Sequence, residues 1–213
     1  MSIQKVKILI ASGNEGKIRE IQDIFEEYEV ISDIKAYENL HIQENGNSFE
    51  ENALIKAKSF YATLKEQAHN LIVMADDSGL CVDMLEGEPG IYSARYANLD
   101  ANLDTNASDS ANLAYLIKKL HQKSLHTSDA KFVACIAIVG KIRGKYVEHI
   151  VRGELKGSVI DIIRGDHGFG YDPIFVPLGY ACSLGELNPD EKNKISHRHN
   201  ALHELKIFLN NNF

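Results

Sequence analysis

A chain of 213 residues is long enough for one large domain or for two small lobes around a shared core. Its 44% hydrophobic and 25% charged residues give the composition of a folded globular protein and exclude a disordered one. A formal net charge of -7 excludes a sequence-independent grip on nucleic acid, though a local basic cluster can still hold a small anion.

Residues 6–11 (VKILIA) are a short apolar run, predicted as a buried strand. Asn14 can cap the helix that follows, whose Ile18, Ile21, Ile24, Phe25 and Tyr28 fall on one face. EVISDIKAY (29–37) is predicted as a second strand. Ser48 and Glu51 form a capping box for a helix over 48–66, with Ala53, Ala57, Phe60, Tyr61 and Leu64 on its apolar face. LIVMA (71–75) is a buried strand ending in Asp76-Asp77-Ser78-Gly79, and GEPGIYSARYA (87–97) is a loop by its glycines and proline. A helix fits 109–122, where Leu113, Leu116, Ile117 and Leu120 keep helical spacing. KFVACIAIVG (131–140) and KYVEHIVRGEL (145–155) are adjacent strands around Gly144, and RGDHGFGYDPIF (164–175) is a glycine-rich loop entering a short strand. Asn188 caps, Pro189 opens and Glu191 closes the box of a further helix, and a last one runs from near Ser196 to about 209. Strands and helices alternate early and a strand pair follows, which argues for a mixed α/β sheet flanked by helices.

Cys81, Cys135 and Cys182 are widely spaced and odd in number, giving neither a zinc spacing nor a disulfide frame, which suits a reducing compartment. The first residues turn polar after one strand, so no signal peptide is expected. No run approaches the roughly 20 apolar residues of a membrane span. A cytoplasmic protein with no membrane or nucleic-acid partner is expected.

Four stretches carry chemistry. SGNEGK (12–17) joins a strand to a helix, and Gly13, Gly16 and the helix N-terminus can receive an anion beside Lys17. It is no Walker loop, because Ala11 stands five before Gly16 and Ile18 follows Lys17. Asp76 and Asp77 lie at a strand end, where open α/β sheets place ligands; successive strand positions point them to opposite faces, and one can bind Mg²⁺. Asp-Ser-Gly is equally good turn chemistry. In GFGYDP (168–173), Phe169 and Tyr171 can stack on a purine and Asp172 can accept from a base N–H. EKNKISHRH (191–199) packs Lys192, Lys194, His197, Arg198 and His199 near a helix N-terminus, where basic residues oppose the dipole and an anionic partner relieves them.

Five ordered segments carry a resemblance over nearly the whole chain: SGNEGK, FEENALIKA, DDSGLCVDMLEGEPGIYSARYA, GFGYDPIF and EKNKISHRHNAL. With them the chain resembles the inosine/xanthosine triphosphate pyrophosphatase family. The resemblance implies Mg²⁺-dependent hydrolysis of ITP, dITP and XTP to the monophosphate and pyrophosphate. It implies residues 1–213 as a single domain: a long mixed sheet with flanking helices, forming two lobes around a nucleotide-binding cleft and assembled as a homodimer. Ser12, Gly13, Asn14, Glu15, Gly16 and Lys17 would cradle the triphosphate. Asp77 would bind the metal and activate water with Asp76 in support, and Ser78 would touch the substrate. Phe169, Gly170, Tyr171 and Asp172 would face the base, Lys192 would reach the nucleotide, and His197 and Arg198 would sit at the base edge. Arg95 and Lys56 are weaker candidates for phosphate contacts.

One position departs from the family. Where it commonly shows two acids before TG, the first a metal ligand, this chain reads IQENG (42–46), with Gln43 first and Glu44 second. Either Glu44 takes over by a one-residue shift, or the metal depends more on Asp77, Glu50, Glu51 and the phosphates. Two alternatives follow: a non-catalytic nucleotide sensor, or a pyrophosphatase for other modified or pyrimidine triphosphates.

Overall fold

The computed structural model describes residues 6–32, 42, 44–64 and 70–213, with the backbone alone for Glu15. In chain order the elements are β1 (Lys7–Ile10), α1 (Glu15–Ile24), β2 (Glu29–Ile31), α2 (Phe49–Thr63), β3 (Leu71–Val82), α3 (Asp109–Gln122), β4 (Thr127–Ile142), β5 (Lys145–Ile160), β6 (Phe175–Pro177), α4 (Pro189–Ile195) and α5 (His197–Asn212). The strands form one six-stranded mixed sheet in the order β2-β1-β3-β4-β5-β6, as the α/β alternation led us to expect. β1 pairs in parallel with β2 and β3, and β6 runs antiparallel to β5.

Polar signals set the helix starts. Asn14, Ser48, Ser108 and Asn188 each accept a backbone N–H of the first turn through the side chain, satisfying donors that a helix start leaves open. At α2 the box differs from the expected one: Ser48 Oγ accepts from Glu51 N, while Glu51 Oε2 accepts from Asn47 N at 2.6 Å.

Some expected boundaries move. β3 does not end at Ala75 but continues through Asp76-Asp77-Ser78-Gly79 to Val82, and buried cationic partners let the Asp76 carboxylate stay inside a strand. β4 and β5 extend to 16 residues each. Residues 90–101, expected as loop, wind into 3-10 turns with a kink at Arg95. Lys192 and Lys194 lie in the last turn of α4, where the dipole favours cations, so the expected unfavourable placement applies only to the start of α5. Residues 33–37 of the expected second strand, residues 65 and 66 of the expected helix, and Gln43 lie outside the described residues.

The chain divides into two compact units. The first holds Met1–Asp77, Ala134–Gly153 and Arg198–Phe213, and the second holds Ser78–Val133 and Glu154–His197. In the first, Ile8 and Ile10 of β1, Ile72 and Met74 of β3, Ile136 and Ile138 of β4, Ile21 and Phe25 of α1, and Leu202, Leu205 and Leu209 of α5 make one core. In the second, Leu80 and Val82 of β3 pack with Leu113, Leu116 and Leu120 of α3 and with Tyr171, Ile174 and Phe175. Truncating such a side chain to Ala costs roughly 2–5 kcal/mol, so each core fixes the backbone on which its polar residues stand.

Candidate active site

In the first unit, four elements bring charge together. β1 ends into Ser12 and Gly13, where Ser12 Oγ accepts from Asn14 N and Asn14 Oδ1 accepts from Lys17 N. These bonds set the first turn of α1, and Lys17 reaches from it to ion-pair with Asp76 Oδ1. Arg198, at the start of α5, donates from Nε to Asp76 Oδ2 at 3.0 Å and from Nη1 to Glu20 Oε2 at 2.6 Å. Burial works against the Arg198 charge, and Asp76 and Glu20 more than restore it, holding its pKa above the ordinary value. Burial likewise lowers the pKa of Lys17, with Asp76 opposing the shift. Arg198, expected at a base edge, has two nitrogens committed to carboxylates of this unit.

Asp77 is placed differently. Its Oδ2 is buried with no hydrogen-bond partner among the described residues. Desolvation pushes its carboxyl up to about 6; Lys56 and Lys17 pull it down, while Glu44 and Asp76 push it further up. Lys56, on α2, donates to the Asp76 carbonyl oxygen at 3.2 Å and ion-pairs with Glu44 Oε1 at 2.9 Å. Lys56 therefore faces Glu44 and the Asp76-Asp77 backbone at once.

Of the acids offered as substitutes for Gln43, Glu44 is the one whose charge Asp77 senses. Glu50 is held at 2.5 Å by Arg152, and the Cys135 thiol also bonds to it. Glu51 closes the α2 cap on Asn47. Among the described residues no group of three or more His, Cys, Asp or Glu side chains converges as a metal site. Asp77 and Glu44 nevertheless suit Mg²⁺, which binds through one or two carboxylates and takes its remaining oxygens from water and phosphates. A cation would also meet the unpaired Asp77 oxygen, whose burial as a lone charge is otherwise costly.

The second unit carries the aromatic and basic residues. Asp172 Oδ2 accepts from Phe169 N at 2.8 Å and from Lys192 Nζ at 2.6 Å. It thus holds its own loop closed rather than presenting that oxygen to a ligand. Gly168 is required there: its φ is +83° and a Cβ would run into Asp172 Oδ2. Gly170 N donates to Asp109 Oδ2 at 2.8 Å. Phe169 keeps 37% of its surface exposed, and Lys192 Nζ lies 4.3 Å from its ring centroid. Tyr171 is buried and donates to the Ser93 carbonyl at 2.8 Å, which makes it a core strut and not an exposed stacking ring. His197 is buried and stacks on Phe132 at 4.9 Å. Arg95 pairs with Asp104 at 3.0 Å, and Ser78 lies part-buried on β3.

The first unit thus gathers Ser12, Asn14, Lys17, Glu44, Asp76, Asp77 and Arg198, and the second gathers Phe169, Asp172 and Lys192. The side chain of Glu15 lies outside the described residues. Glu20 and Asn52 were missed. Glu20 follows Lys17 by one helical turn, so the spacing could have signalled it. Asn52 sits one turn before Lys56, but nothing in the sequence says that it is buried.

The Ham1 family model matches residues 8–208. A dITP/XTP pyrophosphatase of Campylobacter jejuni subsp. jejuni serotype O:6 is 41% identical over 205 residues, covering 96% of this chain and 97% of that protein. One of the same name from Sulfurimonas denitrificans is 43% identical over 206 residues, covering 96% of this chain and 98% of that protein. The solved structure of the Staphylococcus aureus Ham1 protein is similar with a TM-score of 0.81 at 38% identity, covering 97% of this chain and all of that one.

Proposed function

The chain belongs to the Ham1 family, and from that premise we propose that it hydrolyses dITP, ITP and XTP to the monophosphate and pyrophosphate. The names of its relatives support the reaction class. The observation that carries it on this chain is the contrast in the first unit: Asp76 saturated by two cations, Asp77 beside it with a buried oxygen that has no partner among the described residues.

The triphosphate brings about four negative charges, which cationic groups and backbone donors must offset before attack at the α phosphorus. Lys17 supplies one ammonium, held in place by Asp76, and Lys56 a second. The first-turn amides of α1 have no intrahelical acceptors and add a positive dipole end. Asp77 and Glu44 would hold Mg²⁺, which supplies further charge neutralisation and acidifies water. The Asp77 carboxylate takes a proton from the attacking water. The water oxygen bonds to the α phosphorus, the bond to the bridging oxygen breaks, and pyrophosphate leaves. No covalent enzyme intermediate is needed, and Cys135 is unsuited to be one because burial and Glu50 raise its thiol pKa.

Phe169 supplies a ring face for the base, and Lys192 a buried cation beside it. Selectivity rests on donors that reward the six-carbonyl of hypoxanthine and xanthine, since an unmet buried hydrogen bond costs about 1–3 kcal/mol. The resemblance adds a homodimer, which sedimentation equilibrium tests, and a cytoplasmic location, which cell fractionation tests.

The deciding experiment is hydrolysis of ITP, dITP, XTP, GTP, ATP and dUTP with Mg²⁺, separating pyrophosphate from orthophosphate. Monophosphate plus pyrophosphate with ITP, dITP and XTP far ahead is expected. Orthophosphate release, or nucleotide binding without turnover, would overturn the reading.

A further inference from the structure

Asn52 is polar, lies inside α2 and is only 1% exposed, an unusual place for an amide. Its Oδ1 accepts from Gly46 N at 2.9 Å, while its Nδ2 is buried with no partner among the described residues. Within the described residues Asn52 is satisfied on one side only, a poor choice for stability, because a buried donor left unmet is costly. The bond it does make fixes a particular segment. Glu51 Oε2 holds Asn47 N next to it at 2.6 Å, so the loop just after Glu44 is clipped twice to the first turns of α2. Gly46 lets the loop lie that close: a Cβ there would come within 2.7 Å of Glu51 Cβ and 2.8 Å of Asn52 Oδ1. One helical turn on from Asn52, Lys56 grips Glu44 itself at 2.9 Å.

We propose that Asn52 is a positioning residue for the divalent cation: by pinning Gly46 it sets the Glu44 carboxylate against Asp77, and so sets metal affinity. The inference rests on the reading that Glu44 and Asp77 hold the metal. It adds that their geometry is imposed by the Asn52–Gly46 clip and not by Lys56 alone, whose long side chain can follow a moving Glu44. Partners behind a ligand commonly govern metal affinity by 10–100-fold. The Nδ2, without a partner among the described residues, marks the same side chain as one kept for something other than packing.

The test measures Mn²⁺ binding to the nucleotide-free protein by the loss of the free-ion EPR signal, for wild type, Asn52→Leu, which keeps the branching of the side chain and removes its hydrogen bonds, and Gly46→Ala, which strikes the clip from its other side. Far-UV circular dichroism and melting accompany each. Both variants are expected to fold and to bind Mn²⁺ about tenfold or more weakly, with the Mg²⁺ concentration for half-maximal ITP turnover rising in step and the KM for ITP at saturating Mg²⁺ within about twofold. Folded variants that bind Mn²⁺ as wild type does overturn the inference and leave the metal reading standing. Wild type that binds no Mn²⁺ overturns the metal reading itself and the inference with it. Variants that fail to fold make Asn52 and Gly46 pillars of the first unit, which overturns a role confined to the metal.

Discussion

Arg198 Nε donates to Asp76 Oδ2 at 3.0 Å, with both side chains all but sealed from solvent. Lys17 takes the other oxygen of the same carboxylate. Two cations thus saturate Asp76, whereas Asp77, the next residue of β3, keeps an oxygen unpaired among the described residues. Adjacent strand positions point to opposite faces, so one acid can become structural while its neighbour stays available for chemistry.

The structural half of that division predicts a stability loss. Removing one partner from a buried ion pair leaves an uncompensated charge and typically costs about 3–5 kcal/mol. Arg198→Met would strip Asp76 and Glu20 of their shared partner. Urea denaturation of the metal-free protein is expected to show a loss in this range. A loss below about 1 kcal/mol would mean that the pair behaves as a surface salt bridge and that Asp76 is not anchored as described.

The chemical half predicts the opposite pattern for its neighbour. Asp77→Asn keeps the shape and removes the proton acceptor, and a positioned general base contributes about 10²–10⁴-fold. The kcat for ITP should fall by that order, while calorimetric binding of ITP stays within a few-fold. If kcat drops less than tenfold, another group takes the proton.

Asp77 also carries a pH signature. Burial raises its carboxyl pKa from the ordinary value to about 6. A carboxyl with a higher pKa folded than unfolded weakens folding when ionised. The penalty is absent below the unfolded pKa near ~4, grows as pH rises through about 6 and is complete above it. At ~1.4 kcal/mol per pKa unit, it reaches roughly 3 kcal/mol at most. In chelator, Asp77→Asn is therefore expected to melt higher than wild type at pH 8 and at about the same temperature at pH 4. A pH-independent difference in melting temperature would show that the Asp77 charge is not the cause.

The sequence announced much of this and hid a definable part. Asn14, Ser48 and Asn188 were legible as caps because capping is local chemistry between residues three apart. The course of β3 past Ala75 was not, because what keeps the Asp76 carboxylate in a strand comes from Lys17 and Arg198, 59 and 122 positions away. The same distance hid the commitment of Arg198 to Asp76 and Glu20, which no local pattern encodes. The 3-10 turns after Pro89 were read as loop because Gly and Pro signal irregular backbone without saying how it is bonded. Asp172 was read as a ligand contact; its Oδ2 accepts from Phe169 N and from Lys192 Nζ, and the lysine stands 20 positions away.

Phe169 and Tyr171 sit two apart in one glycine-rich loop, yet the structure gives them different work, and mutation should separate them. Tyr171 O–H donates to the buried Ser93 carbonyl, so Tyr171→Phe removes a buried hydrogen bond and should cost about 0.5–1.5 kcal/mol of stability. Phe169 is part-exposed beside the buried Lys192 ammonium, so Phe169→Ala should hardly change melting but should raise the KM for ITP. Aromatic stacking on a base is worth roughly 1–3 kcal/mol, which corresponds to a rise of about five- to 150-fold. Steady-state kinetics on folded Tyr171→Phe should return a KM near wild type. If Tyr171→Phe raises KM as much as Phe169→Ala while leaving stability alone, Tyr171 meets the base directly and its bond to Ser93 is dispensable.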